Sequence, residues 1–183
     1  EQINEELFEL IDRSKKRNGI SGLMFSGIEL LDKKLSGAEN GDMIIVAARP
    51  GMGKSVLAVN IAVEAIKAHK RMILWTLEMS AVQYAQRIYS ALSNVDYADI
   101  RLGNVNPKDL ENAKRIFLES RVQIIDKSGV TIEQIYNTLL AEHEKEAIDI
   151  VCIDHLGLIR GSGSIYERTS HNSGFTKIIA KEL

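Results

Sequence analysis

Ala48-Arg49-Pro50-Gly51-Met52-Gly53-Lys54-Ser55 is the stretch on which the reading of this chain turns. It fits the spacing of a phosphate-binding loop, Gly-x-x-x-x-Gly-Lys-Ser, with alanine at the first glycine position. The residue types follow from the task of surrounding an anion. Glycines let successive backbone N–H groups turn inward towards phosphate oxygens. A helix that starts at the lysine aims its N-terminal dipole at the same charge. In such a loop the lysine reaches the β- and γ-phosphates and the serine hydroxyl is a ligand for Mg²⁺. Arg49, Pro50, Gly51, Met52, Gly53, Lys54 and Ser55 are therefore the candidate nucleotide-binding residues, with ATP and Mg²⁺ as the expected cofactors.

Outward from the loop, the chain alternates apolar runs with helical periodicity. Met43-Ile44-Ile45-Val46-Ala47-Ala48 predicts a buried strand entering the loop, and a helix is expected over 54–68. Met72 to Leu77 predicts a second strand, Val122 to Ile125 a third and Ile148 to Ile153 a fourth. Helical spacing returns over 80–92 and 108–119, and again through Ile132, Ile135, Leu139 and Leu140. Continuous apolar strands separated by helices argue an α/β fold with a mostly parallel central sheet flanked by helices. Upstream, Ile3, Leu7, Leu10 and Ile11 share one helical face before Gly19 and Gly22 break the pattern. That helix is either a linker and docking arm or a first helix packed on its own domain. Residues 160–174 read as one long irregular loop, functional or disordered. The chain stops at Leu183 inside a helical pattern, which predicts a domain cut short.

Composition narrows the class. The 183 residues are 45% hydrophobic and 26% charged, with a formal net charge of −2, so nucleic-acid binding needs a local basic patch rather than a basic surface. One cysteine, Cys152, excludes a disulfide within the chain and fits a reducing interior. No apolar run approaches the roughly 20 residues that span a bilayer. The acidic N-terminus lacks a signal-peptide core, so a cytoplasmic protein is expected.

A phosphate-binding loop needs carboxylates beside it. Asp154 closes the strand Ile150-Val151-Cys152-Ile153, where it would emerge at the carboxyl edge of the sheet as a Mg²⁺-side residue. Glu78 follows the strand that ends Thr76-Leu77, placed on the same edge to orient or deprotonate water. Cys152 and Trp75 read as core, and His155 as a structural edge residue or a phosphate sensor. No His and Cys spacing suggests zinc, and nothing suggests a Ser-His-Asp nucleophile.

The runs Ser26-Gly27-Ile28-Glu29-Leu30-Leu31-Asp32, Gly41-Asp42-Met43-Ile44-Ile45, Ala47 to Ser55, Leu77-Glu78-Met79-Ser80 and Ile153-Asp154-His155-Leu156 together resemble the bacterial replicative DNA helicase DnaB family, in its RecA-like C-terminal motor. The resemblance runs from about Gly22 to Leu183, and residues 1–19 are similar to that family's interdomain linker helix. It implies a linker helix over 1–19 and a RecA-like P-loop ATPase domain over 20–183. It also implies a ring hexamer that hydrolyses ATP at subunit interfaces and translocates on single-stranded DNA to unwind duplex. By the family pattern Lys54 and Glu78 are catalytic, Glu78 as the base, and Ser55 and Asp154 hold Mg²⁺. A helicase loader and a primase would be further partners. His155-Leu156-Gly157 stands where the family has Tyr-Leu-Gln, and Asn172-Ser173-Gly174 where it has Ile-Ser-Arg. The family's glutamine strand and arginine finger would lie beyond Leu183, and its scaffold domain before Glu1. Residues 160–183 carry Arg160, Arg168, Lys177 and Lys181 against Glu167 and Glu182, an excess of +2. Arg160 and Arg168 are thus the candidate DNA contacts. The alternative is a RecA-like regulatory or recombination ATPase whose nucleotide state switches a protein assembly.

Overall fold

Met72-Ile73-Leu74-Trp75-Thr76 forms the central strand β1, every residue of it buried. It explains why the run reads as continuously apolar. Met72 and Leu74 point into one core cluster and Ile73 and Trp75 into another on the opposite face. In the computed structural model, which describes residues 2–16 and 22–183, β1 is flanked by β2 (Val122–Ile125) and β3 (Ile150–Asp154). The order is β2-β1-β3 and both pairings are parallel, with Met72 opposite Val122 and Ile150.

Helices cover both faces, as a parallel sheet requires. On one side α3 (Lys54–Lys67), α4 (Ala81–Ser93) and α6 (Glu111–Glu119) close over Met72, Leu74 and Val122. On the other, α7 (Ile132–Lys145) and α8 (Ile165–Glu182) supply Ile135, Leu139 and Ile179 against Ile73 and Trp75. Trp75 is a core residue, and its indole N–H donates to the Lys127 carbonyl at 3.1 Å. Two short helices, α2 (Glu29–Leu35) and α5 (Tyr97–Leu102), complete the chain order with α1 (Gln2–Lys16). The buried Asp32 of α2 accepts from the amides of Phe25 and Ser26, which ties the segment before the helix back onto it. Gly22 is required where Leu23 pairs with Ala38: a Cβ there would lie 2.5 Å from the Ala38 carbonyl oxygen.

The structure corrects three expectations. Met43 to Ala48 forms no strand. Ile44, Ile45 and Val46 are 43%, 59% and 41% exposed, and the outer edge of β3 has no hydrogen-bonded neighbour among the described residues. An apolar run becomes a buried strand only with a ladder partner and cover on both faces. Among the described residues, the segment's hydrogen bonds to α8 lie near its start, where Lys177 Nζ donates to the Gly41 carbonyl and Thr176 Oγ1 to Met43 Sδ. The second correction concerns 160–174. Ser164 caps a helix at Ile165 by accepting from the Glu167 amide, while the Glu167 carboxylate accepts from the Ser164 amide. This reciprocal pair satisfies donors that would otherwise be orphaned, so α8 begins within the stretch read as a loop. The fourth strand also starts at Ile150 rather than Ile148.

Helix α1 confirms the helical periodicity at the N-terminus, with Ile3, Leu7, Phe8 and Ile11 exposed. The expected break at Gly19 lies outside the described residues.

The join between β1 and β3 is fastened below the site. Asp149 accepts from the Arg71 amide and from Lys70 Nζ, both at 2.8 Å. Burial pushes its carboxyl up, but these hydrogen bonds and the Lys70 charge outweigh burial and hold it below the usual carboxylate range. A carboxyl lowered in the fold stabilises fully above its unfolded value, near 3.9, and loses that contribution as pH falls through the folded value. Asp149→Asn is expected to lower the unfolding free energy by about 1 kcal/mol at pH 7. Urea melts should show the difference shrinking below about pH 4; a difference independent of pH counts against it.

Candidate active site

The loop itself is exposed, with Gly51 and Gly53 at φ +79° and +90° and no atom within 4 Å of a Cβ placed on either. The left-handed conformation at both positions is what glycine supplies and other residues resist. Arg49, Pro50 and Met52 are likewise exposed, and the Met52 amide donates to the Arg49 carbonyl to close the turn. Gly53 caps α3, so Lys54 and Ser55 are its first residues.

From there the side chains converge on Asp154. Ser55 Oγ donates to Asp154 Oδ2 at 2.7 Å, and Lys54 Nζ lies 3.1 Å from Oδ1. Oδ1 is buried and receives no aligned hydrogen bond. Burial pushes the Asp154 carboxyl up, yet hydrogen bonds from Tyr84 and Ser55, with the Lys54 ammonium beside Oδ1, together hold it below the ordinary range, so it is an anion at neutral pH. The sheet register explains its place, since Asp154 ends β3 opposite Thr76, and its carbonyl accepts from the Leu77 amide at 2.7 Å.

Glu78 stands on the turn just after β1. Thr76 Oγ1 donates to the Met79 carbonyl and accepts from the Met79 amide, which holds that turn, and Ser80 then caps α4 with Gln83. The Glu78 carboxylate is half-exposed, 3.9 Å from Lys54 Nζ and 3.5 Å from His155 Nε2. Lys54 thus sits between two carboxylates of different character, one buried and hydrogen-bonded, the other open to water. Cys152 packs against the apolar cluster two residues before Asp154, and burial pushes its thiol up to about 12, which makes it no nucleophile.

The donor set fits a hard divalent cation that shares its ligands with phosphate. Ser55 Oγ and the buried Asp154 Oδ1, faced by Lys54, offer oxygen ligands, and no cluster of three or more His, Cys, Asp or Glu among the described residues could hold an ion alone. Magnesium is bound in this way, through one or two protein oxygens, phosphates and water.

Arg160 and Arg168 stand elsewhere. They line a cavity of about 430 Å³ between the start of α7 and α8, together with Thr131, Glu133 and His171. The Arg160 amide donates to the Val130 carbonyl, and its guanidinium covers Gly129. Sequence reasoning missed Tyr84, whose hydroxyl donates to Asp154 Oδ2 from a fully buried position on α4. The one available signal was a tyrosine on a helical face that is otherwise core, since a buried phenol seeks a partner.

The model of the DnaB-like helicase C terminal domain family matches residues 22–183. The chain belongs to that family. Among relatives of the DnaB-like domain, the Replicative DNA helicase DnaB of Pasteurella multocida is 34% identical over 185 residues, covering 96% of this chain and 39% of the relative. That of Geobacillus stearothermophilus is 32% identical, covering 97% and 41%. The chain therefore spans about two fifths of the length of these relatives. A solved ATPase domain superposes with a TM-score of 0.84 at 24% identity, covering 98% of this chain and 67% of that one. A DnaB-like replicative helicase, studied with its interactions with primase, superposes at 0.82 and 24% identity over 98% and 45%. These two likenesses establish the fold of the DnaB-like domain.

Proposed function

We propose that this domain is the ATP-hydrolysing motor of a replicative DNA helicase, acting on single-stranded DNA to unwind duplex. The convergence of Lys54 and Ser55 on a buried, anionic Asp154, with the open carboxylate of Glu78 beside Lys54, carries the reading. In it the loop amides and Lys54 bind the triphosphate, and the ammonium turns from Asp154 to the β/γ oxygens. Asp154 and Ser55 would hold Mg²⁺, which when bound neutralises charge on the phosphates. Glu78 orients water and accepts its proton. Because its carboxylate is half-exposed and held by no hydrogen bond among the described residues, it is free to meet a water molecule.

Family membership and the DnaB relatives support the rest of the proposal. Residues 1–19 act as a linker whose exposed apolar face, Ile3, Leu7, Phe8 and Ile11, docks on a neighbouring subunit of a hexameric ring. Arg160 and Arg168 contact DNA phosphates, six copies converging in such a ring. A primase and a loader are the protein partners, and the cytoplasm is the compartment. No helix among the described residues is long and apolar enough to cross a membrane.

The test is steady-state ATP hydrolysis by the assembled protein with and without single-stranded DNA, with Lys54→Ala as the blank. Several-fold stimulation by DNA is the expected result. Hydrolysis indifferent to DNA, with nucleotide changing only the assembly state, would replace this reading with that of a nucleotide-switched RecA-like ATPase.

A further inference from the structure

Tyr84 has a hydroxyl that core packing does not need. The side chain is fully buried on α4 within the cluster that includes Val59 and Ile88, where a leucine or phenylalanine would fill the space without a polar group. A buried hydroxyl costs free energy unless it is hydrogen-bonded. This one donates to Asp154 Oδ2, the same oxygen that accepts from Ser55 Oγ. The position of α4 makes the reach possible. Its first turn is fixed by the Ser80 cap and by the Ala81 amide donating to Asp126, and Tyr84 follows one turn later on the face towards the sheet.

Two donors on Oδ2 leave Oδ1 buried, with the Lys54 ammonium 3.1 Å away and no aligned hydrogen bond among the described residues. We propose that Tyr84 is a positioning residue for the nucleotide-bound cation: its phenol fixes Asp154 from the core side and thereby presents Oδ1 towards Mg²⁺. The inference rests on the reading of Asp154 as the Mg²⁺-side carboxylate and adds a residue that acts through it. Without the phenol, Asp154 keeps the Ser55 and Lys54 contacts but loses the partner that fixes it from the core side. A cation then has to order the carboxylate as it binds. Among the described residues no hydrogen bond joins the phenol to the loop amides or to Lys54, so phosphate binding without a cation should change little.

The separation between cation and phosphate gives the test. ADP affinity of the 183-residue chain is measured by calorimetry in EDTA, and Mn²⁺ binding in the presence of ADP by electron paramagnetic resonance, with Mn²⁺ standing in for Mg²⁺. Tyr84→Phe should weaken Mn²⁺ binding about tenfold, as loss of a partner behind a metal-binding carboxylate does. ADP affinity in EDTA should stay within about twofold of the unaltered chain, less than one hydrogen bond to a charged group would cost. Replacing Tyr84 with 4-aminophenylalanine, which keeps a donor at the same ring position, should restore the Mn²⁺ affinity. Unchanged Mn²⁺ binding in Tyr84→Phe overturns the proposal. So does a matching loss of ADP affinity in EDTA, because the phenol would then hold the loop or the core rather than the cation side. An unaltered chain that binds neither ADP nor Mn²⁺ refutes the nucleotide-site reading itself, a result distinct from either.

Discussion

Lys54→Ala is expected to reduce ATP affinity at least about 100-fold in a calorimetric titration, two charge-assisted hydrogen bonds to phosphate being lost together. Lys54 is the cation that the phosphate loop places at the head of α3, and it faces the two carboxylates Glu78 and Asp154. A triphosphate brought to this loop without it would meet those carboxylates with only backbone dipoles in opposition. The same substitution has a second effect in the empty protein. Asp154 is buried and anionic, and removing its cation leaves a charge held by Tyr84 and Ser55 alone. A loss of about 1–3 kcal/mol in unfolding free energy should accompany the loss of binding. Unaltered ATP affinity would overturn the phosphate-loop assignment, whatever happened to stability.

Glu78→Gln should behave in the opposite way, lowering kcat by roughly 10²–10⁴-fold while leaving nucleotide affinity within about threefold. The geometry separates the two residues. Glu78 is half-exposed and its neighbours lie at 3.5 and 3.9 Å, beyond hydrogen-bonding distance, so the fold draws little support from it. Its thermal transition should match that of the unaltered protein. An unchanged kcat in single-turnover and steady-state assays would remove Glu78 as the base. A large loss of affinity would mean that its charge serves binding instead.

The sequence made the site more legible than the frame around it. Gly51, Gly53, Lys54 and Ser55 stand at the fixed spacings of a phosphate-binding loop, so a local pattern marks them as candidates. Asp154 was recognisable because a carboxylate ending an apolar run emerges at the edge of a sheet. By contrast, Met43 to Ala48 is as apolar as β1, and a pattern of apolar residues does not report whether a ladder partner stands beside it. That segment is open in the structure for want of one. The start of α8 was written in Ser164 and Glu167, a serine followed by glutamate at capping spacing. The glycines at 161, 163 and 174 obscured it, since glycine weakens a helix everywhere except where tertiary contacts hold it. Tyr84 was out of reach for a different reason. Helical periodicity says which face is buried, but which atom a buried hydroxyl meets depends on how α4 crosses the sheet.

The pairing of Thr76 with Asp154 is the last rung of the ladder between β1 and β3, and Glu78 stands two residues beyond it. The separation of Glu78 and Asp154 is therefore governed by the distance between strands, about 4.8 Å, and by a turn of two residues. Changing it would require breaking backbone hydrogen bonds in the centre of the sheet. Gly51 and Gly53, in open space, face no such constraint. The sheet thus fixes the spacing of the two carboxylates, while the loop that carries Gly51 and Gly53 is free of that restraint.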